Sequence, residues 1–454
     1  MSPKTKKKEY LIYKLSDEMK SCTRIDADLF KKMDVKRGLR NEDGSGVLVG
    51  LTNIGNVVGY ERLADGSLQA VEGKLFFRGY EVKDLVHAIM AEDRFGFEEI
   101  AFLILSGRLP DKEELDSFKE LVFDNMPLEQ KTILHIIEME GYDIMNILAR
   151  SVMEFYTYDE NPDDISRDNL MRQSIELMSK FPTIIAYAYN MLRHKEYGRT
   201  LHLRYPQEGL SIAENFLYMI KGNEYTKLDA RTLDLLLILH SEHGGGNNST
   251  FTVRVTSSTG TDTYSSIAAG IGSLKGPKHG GANLKVCDML AYLKDTVADW
   301  NDDSQIETCI ERILAKEVFD KAGLVYGIGH AVYTMSDPRT LLLKEMARDL
   351  AIEKGRLKEF EFMERVEHVA IDTIYRLKGY QHKILCANVD FYSGFVYDCI
   401  GIPREIYTPL FAMARIVGWC AHRNEELNFE GRRIIRPAYR CVTDENSYTP
   451  IKSR

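Results

Sequence analysis

Four segments of the sequence concentrate histidine, glycine, asparagine, aspartate and arginine in a way that core packing does not require. They are Leu239–Asn247 (LHSEHGGGN), Lys275–Asn283 (KGPKHGGAN), Gly327–Arg339 (GIGHAVYTMSDPR) and Asn388–Gly394 (NVDFYSG). Glycine beside a polar side chain lets a ligand approach the backbone and its N–H donors, which suits anionic or carbonyl-bearing ligands. One histidine in a glycine turn is a weak signal, but three such turns together predict a binding cleft.

Asp390 differs from the other acidic residues because its neighbours, Val389 and Phe391, are apolar. Partial desolvation in such a place would raise the pKa of the carboxyl group and make the carboxylate a stronger base. The structural alternative is that Asp390 caps a helix that begins at Phe391 and takes no part in chemistry.

A metal site is the main competing interpretation of His240 and His243, whose spacing can place two imidazoles on one helix face. However, the HExxH pattern is absent, no cysteine pair lies nearby, and the three glycines that follow should end the helix. Without a third ligand, the sequence predicts no metal.

The cysteines and the net charge argue against several classes of protein. Seven cysteines, widely spread and without a CxxC pair, predict reduced thiols rather than a disulfide framework. A formal net charge of −9 argues against a general nucleic-acid surface, and no apolar stretch reaches the roughly 20 residues that cross a bilayer. The N-terminal lysines precede neither a signal-peptide core nor an Arg-rich presequence, which predicts a cytoplasmic location.

The elements that must position these residues are predominantly helical, because apolar residues recur at intervals of three and four. Ser211 with Glu214 predicts a capping box at the start of a helix. The segment Ser265–Lys275 predicts a helix with a small-residue face that packs closely in the core or against a second subunit. Between residues 40 and 80, glycine-rich and alternating segments around Gly46–Val57 and Leu75–Tyr80 predict a small hairpin or sheet.

In order along the chain, these segments resemble the signature of the citrate synthase family. The family's Gly-Pro-x-His-Gly-x-Ala-Asn run is present at Gly276–Asn283, its Gly-x-Gly-His loop with Asp-Pro-Arg at Gly327–Arg339, and its Asn-Val-Asp with Ser-Gly at Asn388–Gly394. The likeness continues through Gly401-Ile-Pro, Thr408-Pro-Leu-Phe, Arg415, Gly418-Trp-Cys-Ala-His422 and Arg436-Pro437. It is dense from about Leu239 to Arg440.

The resemblance implies an all-α fold with a large and a small helical domain, an active-site cleft between them, and a homodimer or a higher oligomer. We expect the large domain at residues 46–280 and 385–440 and the small domain at residues 281–384. Residues 1–45 would form an N-terminal extension of unknown role, and residues 441–454 a C-terminal tail.

By matching positions, the resemblance implies that His279, His330 and Asp390 are catalytic. It also implies two groups of binding residues. Oxaloacetate would contact His243, Asn247, Arg339, Arg415 and, from the neighbouring subunit, Arg436. Coenzyme A would contact Val325, Gly327, Ile328, Gly329 and Asn388.

The implied chemistry needs no cofactor, and acetyl-CoA is a co-substrate. Asp390 would remove a proton from the thioester methyl group while His279 stabilises the developing enolate. His330 would polarise the keto group of oxaloacetate, and water would then hydrolyse citryl-CoA to citrate. Because such a nucleophile is quenched by water, we expect the domains to close over oxaloacetate before acetyl-CoA binds.

The sequence leaves several alternatives open. The nearest is 2-methylcitrate synthase, which would use propionyl-CoA with the same catalytic set; others are citryl-CoA cleavage and a non-catalytic structural relative. Two positions depart from the family pattern. Gly244 follows His243 where an acidic residue is common, and Thr334 stands where a basic residue often meets a CoA phosphate, so Lys278 could substitute for it.

Overall fold

The computed structural model describes residues 3–42, 44–65, 67–139, 141–379 and 384–454. The chain divides into two compact units: one combines Met1–Leu51 with Arg436–Arg454, and the other comprises Thr52–Ile435. In the first unit, a 20-residue helix and a short one precede residue 51, and the C-terminal residues run mostly without regular structure. The second unit contains all four segments singled out above.

The described residues form eighteen α-helices and three short strands, which confirms the predicted all-α class. The helices are α1 (Pro3–Cys22), α2 (Asp28–Lys32), α3 (Val82–Ala91), α4 (Phe97–Ser106), α5 (Lys112–Asn125), α6 (Gln130–Glu138), α7 (Ile144–Tyr158), α8 (Arg167–Tyr197), α9 (Ile212–Lys221), α10 (Lys227–His240), α11 (Asn248–Ser257), α12 (Thr263–Leu274), α13 (Ala282–Thr296), α14 (Asp303–Leu314), α15 (Pro338–Glu353), α16 (Leu357–Lys378), α17 (Asp390–Cys399) and α18 (Tyr407–Asn428). Among the described residues, no helix has both the length and the apolar character that crossing a bilayer requires.

A small sheet is present in the predicted region, but its strands differ from the predicted segments, because residues 46–54 form no strand and most of β1 and β2 lies between Val57 and Leu75. Strands β1 (Gly55–Arg62), β2 (Leu68–Phe77) and β3 (Tyr80–Glu81) form an antiparallel sheet in the order β1-β2-β3. The pairing of β1 with β2 shifts register between Val58 and Tyr60, which places a bulge at Gly59.

Helix α18 lies at the centre of the second unit, where it packs against α8, α10, α11 and α12. Its buried face includes the polar residues Arg415, His422 and Arg423 as well as Trp419. Polar groups in such a core must find hydrogen-bond partners or a ligand. The surroundings of these side chains therefore indicate where a ligand binds.

Two local predictions are confirmed. Ser211 and Glu214 form the expected capping box at the start of α9, and α12 spans Thr263–Leu274, close to the predicted range. The small face of α12 packs in the core at Gly270, and its predicted use against a second subunit stays a prediction. A Cβ on Gly270 would lie 2.6 Å from Val253, inside the core, whereas Gly272 has no described atom within 4 Å of such a position. The division of the second unit into a large and a small domain stays a prediction.

Two buried carboxyl groups, Glu98 and Asp234, each cap the N-terminus of another helix. Asp234 accepts from the backbone N–H groups of Gly96 (2.8 Å) and Phe97 (3.2 Å) at the start of α4. Glu98 accepts from Ile212 N (2.6 Å) at the start of α9. Burial, followed by the charge of Glu98, raises the pKa of Asp234 to about 7, and burial raises that of Glu98. The folded state therefore holds protons that the unfolded chain releases.

This pair predicts a stability that falls as the pH rises from about 4 towards 7, because ionisation places two negative charges in the core. We expect Glu98→Gln to be close to wild type at pH 5 and about 1 kcal/mol more stable than wild type at pH 8. Urea unfolding at the two pH values measures the difference. An equal effect at both would contradict the coupling.

Candidate active site

The segment Leu239–Asn247 lies at the C-terminal end of α10 and is hydrogen-bonded to α18. The Nε of Arg415 donates to the carbonyl oxygen of His240 (2.6 Å), and Gly418 N donates to that of Ser241 (3.2 Å). A Cβ on Gly418 would overlap the Ser241 carbonyl and the Glu242 carboxylate, so glycine is required for this approach.

Glu242 is the buried anchor of this turn. Its Oε1 accepts from the backbone N–H of Gly244 and lies 3.0 Å from His422 Nε2. The imidazole of His422 in turn contacts Arg254, which pairs with Glu426 at 2.8 Å. Although burial opposes ionisation, His422, Arg415 and Gly244 hold the pKa of Glu242 below its ordinary value. The residue before His243 therefore supplies the carboxylate that orients the turn, and Gly244 contributes only its N–H.

His330 is held by the loop that follows it. Its Nδ1 accepts from the backbone N–H groups of Val332 (3.1 Å) and Tyr333 (3.0 Å). A neutral imidazole with an accepting Nδ1 carries its proton on Nε2. That nitrogen lies 3.2 Å from His243 Nε2, and the Tyr333 ring stacks on His330 with centroids 4.7 Å apart. The loop thus presents an N–H donor beside His243.

Backbone bonds join the His330 loop to the segment that precedes Asp390. Gly329 N donates to Cys386 O (2.7 Å), Asn388 N donates to Gly327 O (2.8 Å), and Asn388 Nδ2 donates to Gly329 O (2.9 Å). Gly327 has φ +81°, and a Cβ there would lie 2.9 Å from Phe391. The glycines therefore allow two segments nearly 60 residues apart to lie in direct contact.

Asp390 is the first residue of α17, and it does not cap that helix. The preceding residue, Val389, is in the N-cap position without a side-chain cap, while Asn388 Oδ1 accepts the N–H of Asp390 (3.0 Å). Burial raises the pKa of Asp390 to about 6, although the positive charges of Arg339 and Arg415 oppose the shift. Near neutral pH the group is an ionised carboxylate with enhanced basicity.

His279 follows α12 and contacts Ser249 on α11. Its Nε2 lies 3.1 Å from Ser249 Oγ, which also accepts from the indole N–H of Trp419 (3.2 Å). Burial, with the charge of Arg415, lowers the pKa of His279 to about 4, so the ring is neutral. The single proton of the Ser249 hydroxyl is directed to Asn247 Oδ1 (3.0 Å). Donation to His279 Nε2, which places the imidazole proton on Nδ1 where a ligand can accept it, therefore requires that hydroxyl to rotate.

Two arginines supply positive charge. Arg339 binds Asp337 through Nε (3.1 Å) and Nη2 (2.8 Å), which leaves three of its five N–H bonds for other partners. Arg415 is fully buried, and both of its terminal nitrogens have no hydrogen-bond partner among the described residues. Burial lowers the pKa of Arg415 to about 10. A buried guanidinium with unpaired N–H groups indicates a site for an anion.

Other buried polar atoms at this site also lack a partner in the described part of the chain. They are His240 Nδ1, His243 Nδ1 and the Tyr333 hydroxyl. Arg415 is the common neighbour of the site, because its charge acts on the pKa values of His243, His279 and Asp390. The predicted trio and both arginines thus lie around one region, although their catalytic roles stay predictions.

Sequence reasoning did not assign His240, Ser249 or Tyr333 to the site. His240 was considered only as a metal ligand, and its ring instead packs edge-on against Phe411 at 4.6 Å. Ser249 carries no motif signal, since only the fold brings α11 beside the His279 loop. Tyr333 could have been predicted as a site residue, because it lies between His330 and Arg339 in one short loop.

The remaining predicted site residues have different surroundings. Asn247 accepts from Ser249 (3.0 Å), and Val325 is buried at the start of the His330 loop. Thr334 is buried and bonded to Gly59 O (3.0 Å), while Lys278 is exposed. Arg436 belongs to the first unit, and its predicted role in a partner's site is untested. Among the described residues, no group of three His, Cys, Asp or Glu side chains could hold a metal ion.

Comparison with known proteins identifies the family. The sequence profile of the citrate synthase C-terminal domain matches residues 43–438. Citrate synthase 2 from Bacillus subtilis is 34% identical over 85% of this chain and 94% of its own, and citrate synthase from Haloferax volcanii is 34% identical over 86% and 97%. A citrate synthase from Dictyostelium discoideum, named as peroxisomal, is 31% identical over 95% and 83%.

Solved structures agree with the sequence matches. Citrate synthase from Pyrobaculum aerophilum has a TM-score of 0.73 at 32% identity, covering 90% of this chain and 94% of its own. The enzyme from Thermoplasma acidophilum, solved as a ternary complex with carboxymethyl coenzyme A and oxaloacetate, has a TM-score of 0.75 at 27% identity, covering 92% and 99%. Sequence and fold together show that this chain belongs to the citrate synthase family.

Proposed function

We propose that this chain condenses acetyl-CoA with oxaloacetate and water to give citrate and CoA. The observation that carries the proposal is the buried Arg415 with both terminal nitrogens unpaired, beside two neutral histidines and a carboxylate of raised pKa. The related Thermoplasma acidophilum structure, which holds oxaloacetate and a CoA analogue, supports this choice of ligands.

Oxaloacetate is a dianion, and the site offers matching donors. Arg415 presents the N–H groups of Nη1 and Nη2, and Arg339 presents those that Asp337 does not use. Planar guanidinium groups bind carboxylates through paired hydrogen bonds, which a lysine cannot reproduce. His243 completes this side, because its unpaired Nδ1 is buried beside the arginines.

Asp390 and His279 act on the thioester. The Asp390 carboxylate accepts a proton from the methyl group, and the His279 Nδ1–H donates to the carbonyl oxygen, where negative charge develops. A neutral imidazole suits this role, and the lowered pKa of His279 keeps it neutral. The enolate carbon then forms a bond with the keto carbon of oxaloacetate.

His330 acts on the keto group. Because two backbone N–H groups occupy its Nδ1, its proton is on Nε2, 3.2 Å from His243 Nε2. In the proposed step this N–H donates to the keto oxygen in place of His243 and polarises the C=O bond. The developing alkoxide takes that proton, which gives citryl-CoA. Water then cleaves the thioester, so that citrate and CoA leave. Each role belongs to a side chain, and the proposal requires no cofactor or metal.

A coupled assay for thiol release with oxaloacetate and acetyl-CoA tests the proposal. We expect free CoA only when both substrates are present, and chelators should have no effect. Propionyl-CoA in the same assay measures the acyl preference, because one methylene changes discrimination by about 1–3 kcal/mol. No thiol release from pure, folded protein would refute the proposal.

Two variants should separate chemistry from binding. Asp390→Ala removes the base, so we expect kcat to fall at least about a thousandfold while oxaloacetate affinity stays within a few-fold of wild type. Arg415→Lys keeps the positive charge but loses the planar guanidinium group and its paired N–H donors. The Kd for oxaloacetate should therefore rise at least about tenfold. Calorimetry measures binding and the thiol assay measures turnover. Equal losses of both quantities in both variants would contradict these roles.

Activity should also report the ionisation of Asp390. The carboxyl group must be deprotonated to act as a base, and its pKa is about 6. With saturating oxaloacetate, we expect kcat/KM for acetyl-CoA to fall about tenfold per pH unit below a pKa of about 6 or slightly higher, since the bound dianion raises it further. A flat profile between pH 5 and 8 would contradict this assignment.

The proposed assembly is a homodimer in which Arg436 completes the partner's site, and the proposed location is the cytoplasm. The outward Gly272 and the partly exposed Ala268 and Ala269 on α12 support close approach of a second copy.

Co-expression of Arg436→Ala with Asp390→Ala tests this dimer arrangement. If Arg436 acts across the interface, mixed dimers contain one intact site and recover about a quarter of wild-type activity. If it acts within its own chain, no activity returns.

A further inference from the structure

The loop from His330 to Arg339 lies directly against the β1–β2 hairpin. Thr334 Oγ1 donates to Gly59 O (3.0 Å) on β1, and Gly73 N on β2 donates to Ser336 Oγ (3.1 Å). The Ser336 hydroxyl donates in turn to the carboxylate of Glu72. One serine therefore joins the loop to two consecutive residues of a strand more than 260 positions earlier.

Two glycines permit this contact. A Cβ on Gly59 would overlap the Val332 carbonyl oxygen, and one on Gly73 would overlap that of Ser336 and lie 2.9 Å from the Tyr333 ring. The two glycines are close across the strand pair, because Val58 faces Lys74. The hairpin thus presents bare backbone to the loop, where any side chain would push the loop away.

The loop carries two of the groups that meet oxaloacetate under the proposed function. At its start, the N–H groups of Val332 and Tyr333 fix the proton of His330. At its end, Asp337 caps α15 by accepting from Arg339 N (3.0 Å) and also holds the guanidinium of Arg339. Ser336 immediately precedes Asp337. A shift at Ser336 would therefore move Arg339 relative to His330.

We propose that Ser336, held by Glu72 and the Gly73 amide, is a positioning residue that sets the place of Arg339 and so the affinity for oxaloacetate. It acts through Asp337 and does not touch the substrate. The inference rests on the proposed function, since oxaloacetate is the ligand it concerns. Ser336 also borders a cavity of about 580 Å³ that is lined by residues of β2, α15 and α16.

The test compares Ser336→Ala with Ser336→Thr. The alanine variant loses both hydrogen bonds, and we expect its KM and Kd for oxaloacetate to rise about three- to tenfold. Its kcat and its KM for acetyl-CoA should stay within about twofold of wild type. The threonine variant keeps the hydroxyl and should restore oxaloacetate affinity. Glu72→Ala should reproduce part of the loss, whereas Glu61→Ala, an exposed glutamate on β1 of the same hairpin, should not.

Hydrogen exchange provides a readout that does not depend on activity. The Gly73 amide should exchange faster in Ser336→Ala than in wild type, and Ser336→Thr should restore its protection. Wild-type oxaloacetate affinity in the alanine variant would overturn the inference while leaving the proposed function intact. A parallel fall of kcat and both affinities with a lower melting temperature would also overturn it, because that pattern indicates a structural role. Lack of thiol release by the wild-type protein would instead refute the proposed function.

Discussion

The buried guanidinium of Arg415 is the constraint on which the rest of the site depends. A charge inside a protein is costly unless it is paired. Among the residues that the structure describes, Nε alone has a hydrogen-bond partner, the carbonyl of His240. Electrostatic compensation comes from Glu242 and Asp390, while Arg339 adds a second positive charge. Such a site is stable because rigid helices enforce it, and a dianion would supply the missing hydrogen bonds. The buried charge that is costly to the fold is thus also the group that would bind the ligand.

The same electrostatics explain the protonation states that the chemistry requires. Burial, and after it the neighbouring positive charge, lowers the pKa values of His243 and His279 and keeps both rings neutral, so they can act as donors or acceptors without a change in net charge. Burial has the opposite effect on a carboxyl group and strengthens Asp390 as a base. One desolvated, positively charged region therefore accounts for both of the protonation states that the proposed mechanism uses.

Backbone contacts made possible by glycine connect the separate segments. Gly327 lets Phe391 pack against the backbone, and Gly418 does the same for the turn at Ser241. Gly59 and Gly73 allow the loop after His330 to lie against the hairpin. None of these contacts uses a side chain of the glycine. A substitution at any of them would act on the site through a displaced backbone. The small sheet therefore helps to position the loop that carries His330 and Arg339.

The sequence alone determined the helical class, the capping box at Ser211 and the four histidine- and aspartate-bearing segments, because periodicity, capping and glycine turns are local properties of the chain. Motif order was sufficient to identify the family and to name Arg339, Arg415 and Asp390. Only the tertiary structure decided that Ser249 contacts His279, that Thr334 faces Gly59 rather than a ligand, and that Ser336 binds Glu72. Those contacts join residues 30 to 275 positions apart, and no local pattern specifies which distant backbone a side chain will meet.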